Sequence, residues 1–417
     1  MPSFKLISAD GHLNDPPAAW ERAQKEYGER APRVVEDPPG LKGLWLFADN
    51  LKPSPCSNPS VGFLVGKPEG VSGMQVDQVA NDVITNFREN FRYEDHPGSW
   101  QPSVRVKEQD RDGVDAEVLF SSWARTFYSF TDAAFQRSCF RSYNLWLHEF
   151  CSYDPKRLTG VPLLSVLDVE KAVQDLNEYA KMGFKGVQLP SGFKDGVYYD
   201  PIYEPIWSAA EDSNMLMIIH SGALQGGGSR KWFEKLNSAD DWPGFFQHSR
   251  QTAVKTVIGQ MIFSGVFDRH PSLKVVCTEF DAGWLAVIVQ QVDYHYGPKK
   301  AAHGTDVQLK VKLPPSEYFK RNLWFTFMDD RAAVLTTPIY GEDNFLWSSD
   351  YPHAACTWPY SQQIVDRMCE GANATVKRKL FRDNVNKLYD LGLESESALE
   401  HKEKKYGACS PFGDESR

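Results

Sequence analysis

Asp10, His12, His220, Glu279 and Asp350 are residue types that bind metals, and they stand at the ends of short apolar runs. Asp10-Gly11-His12 closes the first run. On an extended chain, residues i and i+2 point the same way, so this carboxylate and imidazole can share one ion. The segment MIIHSG places His220 at the end of the fifth run, CTEFDAGW places Glu279 at the end of the sixth, and SSDYPH places Asp350 at the end of the eighth, with His353 just beyond. Each has a plainer reading by itself. His220 could be a satisfied core histidine, Glu279 a helix cap, and Asp350 before Tyr-Pro a turn former. The coincidence argues for a metal, because buried carboxylates gathered at one end of a set of strands are costly unless paired, and a divalent cation pairs with several at once.

The elements that must position these residues are eight apolar runs: Lys5–Asp10, Ala116–Ser121, Leu158–Ser165, Gly186–Pro190, Met215–His220, Leu273–Glu279, Asn322–Phe327 and Asn344–Asp350. Most are continuous rather than alternating, as expected of parallel strands covered on both faces. Between the third and fourth, residues 168–183 carry Ala172, Leu176, Tyr179 and Ala180 at helical spacing, and Gly183 offers a stop. Strand and helix alternating through eight units predict an α/β chain folded as a distorted (β/α)8 TIM barrel over residues 1–393, and chemistry on such a barrel gathers at the C-terminal ends of the strands. Two stretches break the rhythm. Residues from about 30 to 105 are rich in Pro, Gly and Asn, and residues from about 222 to 250 are rich in Gly and aromatics. Both are predicted to be insertions that cover the C-terminal mouth. Residues 394–417 form a charged tail without apolar periodicity.

Composition narrows the function classes. The chain has 417 residues, 13% of them aromatic with 12 Trp, which fits a deep apolar cavity, extensive subunit interfaces or a Trp-rich core. A net charge of −9 without a cluster of Lys and Arg argues against a nucleic-acid partner. No apolar run approaches the length that spans a bilayer, and the N-terminus lacks a signal-peptide pattern. The seven cysteines are scattered and never form a CxxC pair, which suits reduced thiols in a cytoplasmic protein. The expected partner is a small-molecule substrate, with no nucleic acid and no membrane.

ISADGHLNDPPAAW, IFSGVFDRHPSLKVVCTEFDAGWLA, PSEYFKRNLWFTF and FLWSSDYPHAACTWPYS together resemble the amidohydrolase-related family typified by aminocarboxymuconate semialdehyde decarboxylase. The resemblance runs from about residue 5 to 392, with the motifs in the family's order. It implies a metal-dependent distorted barrel, a homodimer or higher homo-oligomer, and decarboxylase, hydrolase or hydratase chemistry without an organic cofactor. Asp10 and His12 match the family's first-strand ligand pair, with a carboxylate in the first place. His220 matches its fifth-strand histidine and Asp350 its eighth-strand aspartate. On the sixth strand many members carry histidine where this chain has Glu279. On the fourth, where some relatives place a bridging lysine or a carboxylate, it offers Gln188; Lys185 comes too early and is read as structural.

Two imidazoles and three carboxylates make a hard donor set, one that suits Fe or Mn, or a dinuclear centre, at least as well as Zn. The expected catalytic residues are Asp350, His220 and His353, with Asp350 moving a proton as ligand or general base and His353 as proton donor or supporting group. The leading reaction is metal-assisted decarboxylation or hydrolysis of a small carboxylated, aromatic or unsaturated substrate. Its rivals are a non-haem di-metal monooxygenase on the same fold and a partner subunit without catalysis. Among other residues, His248 could reach the mouth from the second insertion, and His270 reads as a surface turn residue. Trp284 and Trp358 could wall the pocket, with core packing the leading role for Trp284. Arg321 could bind a substrate carboxylate or form an ion pair at the barrel bottom.

Overall fold

The computed structural model of the protein describes residues 4–57, 81–194, 196–222, 224–226, 242–296, 311–353 and 355–394, with the side chains of 81–84, 242–249 and 295 left aside. Each of the eight apolar runs contains a strand: β1 (Leu6–Leu13), β2 (Val114–Ser121), β3 (Leu158–Gly160), β4 (Gly186–Leu189), β5 (Leu216–His220), β6 (Val275–Thr278), β7 (Leu323–Phe327) and β8 (Phe345–Trp347). All are paired in parallel, β1 to β3 in one sheet and β4 to β8 in another. Hydrogen bonds also link the sheets at both edges. Gln188 donates its backbone N–H to the Pro162 carbonyl (2.8 Å) just past β3, and Asp350 donates to the Asp10 carbonyl (2.9 Å) between β8 and β1.

Helices separate the strands. They are α1 (Pro102–Asp112) before β2, α2 (Ala133–Cys151), α3 (Val169–Lys181), α4 (Glu204–Asp212), α5 (Trp242–Phe263), α6 (Leu285–Tyr296), the short α7 (Arg331–Leu335) and α8 (Ser361–Met368). The helix expected within 168–183 is α3. Asp168 caps it by accepting from the Lys171 N–H at 3.1 Å, Ala172, Leu176 and Tyr179 are buried, and Gly183 ends it with φ +94.

Alternation along the strands sorts two cores. Val187, Met217, Ile219, Cys277 and Phe325 pack outward against helices. Ile218, Val276, Leu346, Ala116 and Val118 pack inward, together with Val385, Tyr389 and Leu391 of the C-terminal segment. The ladder between β1 and β2 shifts register between Ser8 and Gly11. Ile7 and Ala9 lie in the inner core, and the irregularity lets Asp10 and His12 turn toward the same interior further along.

In the first insertion, Arg33–Glu36, Leu44–Phe47 and Ser54–Pro55 form a small antiparallel sheet, and residues 58–80 lie outside the described residues. Its later part touches the exit of β1: Asn14 donates to the Ser99 carbonyl (3.1 Å), and the Tyr93 hydroxyl donates to the Asp15 carbonyl (2.9 Å). In the second insertion, Leu224–Gln225 pairs with Gly192–Phe193. Residues 227–241, the His248 side chain and the tail from 395 onward lie outside the described residues.

Candidate metal centre

The strand ends bring Asp10, His12 and His220 together with their ligand atoms within 4.8 Å of one another, and a second group of the same kind joins His12, Asp350 and His353. His12 Nε2 stands 3.2 Å from Asp10 Oδ1 and 3.2 Å from Asp350 Oδ1, and His220 Nε2 is 3.6 Å from Asp10 Oδ1. His220 Nδ1 faces the Ser221 carbonyl at 3.0 Å. That bond requires the proton on Nδ1, so the lone pair of Nε2 is aimed at the cluster.

Six buried atoms here have no hydrogen-bond partner: both oxygens of Asp10, both ring nitrogens of His12, His220 Nε2 and Asp350 Oδ1. Orphaned polar atoms are expensive in a protein interior, and a divalent cation would satisfy the carboxylate oxygens together with the Nε2 atoms of His12 and His220. The residues present therefore fit a divalent metal.

The electrostatics of the metal-free centre agree. Burial pushes the Asp10 carboxyl up, but His220 and His12 overcome it and hold the group at about 2. Burial pushes His12 down, but Asp10 and then Asp350 raise it to about 9. Asp350 is likewise held at about 2 against burial, chiefly by His353 and His12. His353 places Nδ1 2.9 Å from Asp350 Oδ1, stacks on the His12 ring at 3.7 Å, and places Nε2 3.5 Å from Ser122 Oγ. Burial, and then the neighbouring His12, lower its pKa. Phe120 lies 6.0 Å from the His12 ring and 4.9 Å from the His220 ring, an apolar wall between them.

Glu279, expected as a fifth ligand, joins neither group. It follows β6 with φ +69, a left-handed conformation that Asp350 shares at φ +57. Its Oε2 accepts from Ser221 Oγ at 2.6 Å and stands 3.4 Å from His220 Nδ1, the ring nitrogen turned away from Asp10. Arg250 lies 3.4 Å from Oε1 and Arg125 lies 3.9 Å from Oε2. Burial raises the carboxyl, but Arg250 and His220 bring it down to about 2. The metal side of His220 and the Glu279 side are opposite edges of one ring.

Several supporting residues escaped sequence reasoning. Arg105 of α1 is fully buried and bidentate on Glu117 of β2 (2.6 and 3.1 Å). It also donates to the His12 carbonyl and the Tyr351 carbonyl, each at 3.1 Å. Arg105 thus ties the ends of β1 and β8 together behind the ligands. Gly11 admits this brace, because a Cβ there would stand 3.0 Å from both Arg105 and Glu117. Asp15 accepts from Ser121 Oγ (2.5 Å) and from the N–H groups of Trp123 and Ala124, which fixes the loop bearing Ser122 and Arg125. The available signal was the polar segment SSWAR at the end of β2.

Of the expectations for the remaining residues, the one for His270 changes. His270 is buried, not a surface turn residue, and its two nitrogens lie 2.8 Å from Glu211 and 2.8 Å from Glu204. Trp284 packs on Phe325 outside the strands, and Trp358 stacks on Tyr351. Arg321 donates to the Phe267 carbonyl beside the start of β7, at the end opposite the metal ligands. Lys185 pairs with Asp390 at 3.1 Å.

This fold and this donor set define a metal-dependent enzyme on an α/β scaffold of parallel strands, and a family model described as amidohydrolase matches residues 83–391. The chain belongs to that family. It is 25% identical over 314 residues to 2-amino-3-carboxymuconate-6-semialdehyde decarboxylase of Dictyostelium discoideum, covering 72% of this chain and 79% of the relative. An amidohydrolase structure from Mycobacterium avium subsp. paratuberculosis superposes with TM-score 0.69 at 20% identity, over 94% of this chain and 99% of the other. A 5-carboxyvanillate decarboxylase structure from Novosphingobium aromaticivorans, with bound manganese and 3-methoxy-4-hydroxy-5-nitrobenzoic acid, superposes with TM-score 0.64 at 16% identity, over 93% and 98% of the two chains.

Proposed function

We propose that this protein is a metal-dependent carboxy-lyase that decarboxylates a small carboxylated aromatic or unsaturated substrate at the C-terminal mouth of a closed (β/α)8 barrel. The observation that carries the reading is the set of six orphaned buried atoms on Asp10, His12, His220 and Asp350, with His353 Nδ1 2.9 Å from Asp350. The decarboxylase relatives support the reaction class. In this reading Asp10, His12, His220 and Asp350 hold the ion. When bound, the cation polarises a substrate oxygen as a Lewis acid.

The chain's own residues do the rest. Decarboxylation breaks a C–C bond heterolytically: CO2 leaves and the carbon takes a proton in its place. His353, with Nδ1 2.9 Å from Asp350 and Nε2 toward Ser122, is placed to take up a solvent proton and deliver it to that carbon. Phe120, packed against the His12 and His220 rings, gives the inner side of the site an apolar wall, which favours loss of a charged carboxylate as neutral CO2. The insertions at about 30–105 and 222–250 act as lids, and contact of Ser99 and Tyr93 with the exit of β1 supports this for the first.

The monooxygenase stands as second reading on the carboxylates of the donor set, Asp10 and Asp350, because oxygen-rich sites suit iron. The test compares CO2 release with O2 uptake by Mn(II)- and Fe(II)-loaded protein on 5-carboxyvanillate and related hydroxybenzoates. Metal-dependent CO2 release without O2 uptake is expected, whereas substrate-linked O2 consumption would replace the lyase reading with the oxygenase. No helix among the described residues is long and apolar enough to cross a membrane. A cytoplasmic homo-oligomer completes the reading, and the exposed apolar side chains Val287, Tyr294, Leu335 and Ile339 support an association surface.

A further inference from the structure

The ring of His220 takes its direction chiefly from one peptide group. Its Nδ1 donates to the Ser221 carbonyl at 3.0 Å, while Glu279 Oε2 is further off at 3.4 Å, and this bond leaves Nε2 facing Asp10. The carbonyl belongs to the Ser221–Gly222 peptide, and Gly222 has φ +88. A glycine passes between backbone conformations at little steric cost, so this peptide plane can rotate unless something holds its oxygen. Rotation would remove the acceptor of Nδ1, and with it the tautomer that keeps the Nε2 lone pair free.

Arg125 holds that oxygen. Its Nη1 donates to the same Ser221 carbonyl at 3.0 Å, and a carbonyl oxygen, with two lone pairs, can accept both bonds. The guanidinium reaches across from the loop after β2, which belongs to the other sheet. Gly222 leaves room for it, since a Cβ there would stand 2.8 Å from Arg125 Nη1. The loop is itself pinned. Asp15, only 1% exposed, accepts from Ser121 Oγ at 2.5 Å and from the N–H groups of Trp123 and Ala124 at 3.1 and 3.0 Å. Ser122 donates its N–H to the Leu13 carbonyl at 3.1 Å, and Arg125 Nε donates to the Ser122 carbonyl at 3.2 Å. A buried carboxylate thus anchors the loop, and the loop carries the donor that fixes the peptide behind a metal ligand.

We propose that Arg125 is a positioning residue for the metal centre, locking the Ser221–Gly222 peptide and through it the tautomer and direction of His220. The inference rests on His220 holding the ion in the reading above, and it is independent of the reaction the ion serves. Charge alone would act in the opposite direction. A guanidinium near a cation site repels the cation, so its removal would tighten metal binding if charge were all that mattered. Loss of the lock weakens it.

Two readouts on the full chain test the lock without turnover. The first follows the Nδ1–H of His220 by NMR in metal-stripped, histidine-labelled protein, identified by its absence from His220→Ala. Wild type should give a sharp, slowly exchanging signal, Arg125→Met should broaden or lose it, and Glu279→Gln should keep it. The second titrates Mn(II) into the same proteins by calorimetry. Arg125→Met should bind about tenfold more weakly, within the range for groups that orient a metal-binding histidine. Arg125→Lys keeps a donor on a long stem and should retain more of the signal and of the affinity than Arg125→Met. Unchanged or tighter Mn(II) binding by Arg125→Met, an undisturbed Nδ1–H signal in that variant, or equal losses in Arg125→Lys would overturn the proposal. A signal lost with Arg125 in a protein whose wild type binds no Mn(II) would leave the lock standing and remove the metal-holding role of His220.

Discussion

At the scale of single residues, the site separates holding a metal from moving a proton. His220 is a holding ligand, its orientation set by the Nδ1 bond to the Ser221 carbonyl. His220→Ala should lower metal occupancy, and high metal concentration should restore part of the activity, as read by metal analysis and a rescue titration. Asp350 contacts both His12 and His353. Asp350→Asn keeps an oxygen donor and removes the basicity, so activity should fall by about 10²–10⁴-fold, the usual contribution of a positioned acid–base group. Added metal should not rescue it. A fully active Asp350→Asn enzyme would move the proton role to His353 alone.

Protonation gives a further expectation at this scale. In the metal-free centre Asp10 and Asp350 overcome burial and raise His12 to about 9. A ligating imidazole must be neutral, so each ion bound displaces a proton from His12 below that pH. Metal affinity should climb about tenfold per pH unit between pH 7 and 9 and then level off, measured by competition with a chelating dye. The sign for stability is the opposite. A histidine whose pKa is raised on folding stabilises the metal-free protein fully below its unfolded value and loses that stabilisation as pH rises through about 9. Denaturant melts of the stripped protein should therefore weaken over that window, and Mn(II) should reverse the trend.

At the scale of elements, much of the scaffold was legible. Eight continuous apolar runs identify eight strands because a parallel strand covered on both faces has no polar side to show. Asp10, His12, His220 and Asp350 were legible because each follows such a run directly. What stayed hidden depends on contacts distant in sequence. Glu279 also ends an apolar run, but its carboxylate lies against His220 Nδ1, where Ser221 and two arginines receive it. Arg105 sits in α1, 246 residues from Tyr351, whose carbonyl it binds, and nothing local marks it as the brace behind the site. His270 looked like a turn residue because its partners, Glu204 and Glu211, come from α4.

The brace carries its own prediction. Removing one member of a buried ion pair leaves the other charge unpaired, which typically costs about 3–5 kcal/mol. Arg105→Met should destabilise the fold on that scale in equilibrium denaturation, and it should reduce metal affinity, because the His12 and Tyr351 carbonyls lose their common donor. Unchanged metal affinity in a folded Arg105→Met protein would show that the ends of β1 and β8 hold their positions without it.

At the scale of the whole molecule, parallel strands gather polar groups at one end and apolar groups at the other. Val385, Tyr389 and Leu391 join the inner apolar core, while the opposite strand ends carry the buried ligands and the partly exposed arginine–glutamate cluster. Assignment to the amidohydrolase family agrees with this polarity. The central claim is that Asp10, His12, His220 and Asp350 hold a catalytic divalent cation and that Glu279 stands outside its coordination shell. Calorimetric titration of Mn(II) into chelator-stripped protein tests it most directly. The account predicts a single tight site in wild type, its loss in His12→Ala and His220→Ala, and its retention in Glu279→Gln. A titration in which Glu279→Gln abolishes binding as completely as His12→Ala would contradict it.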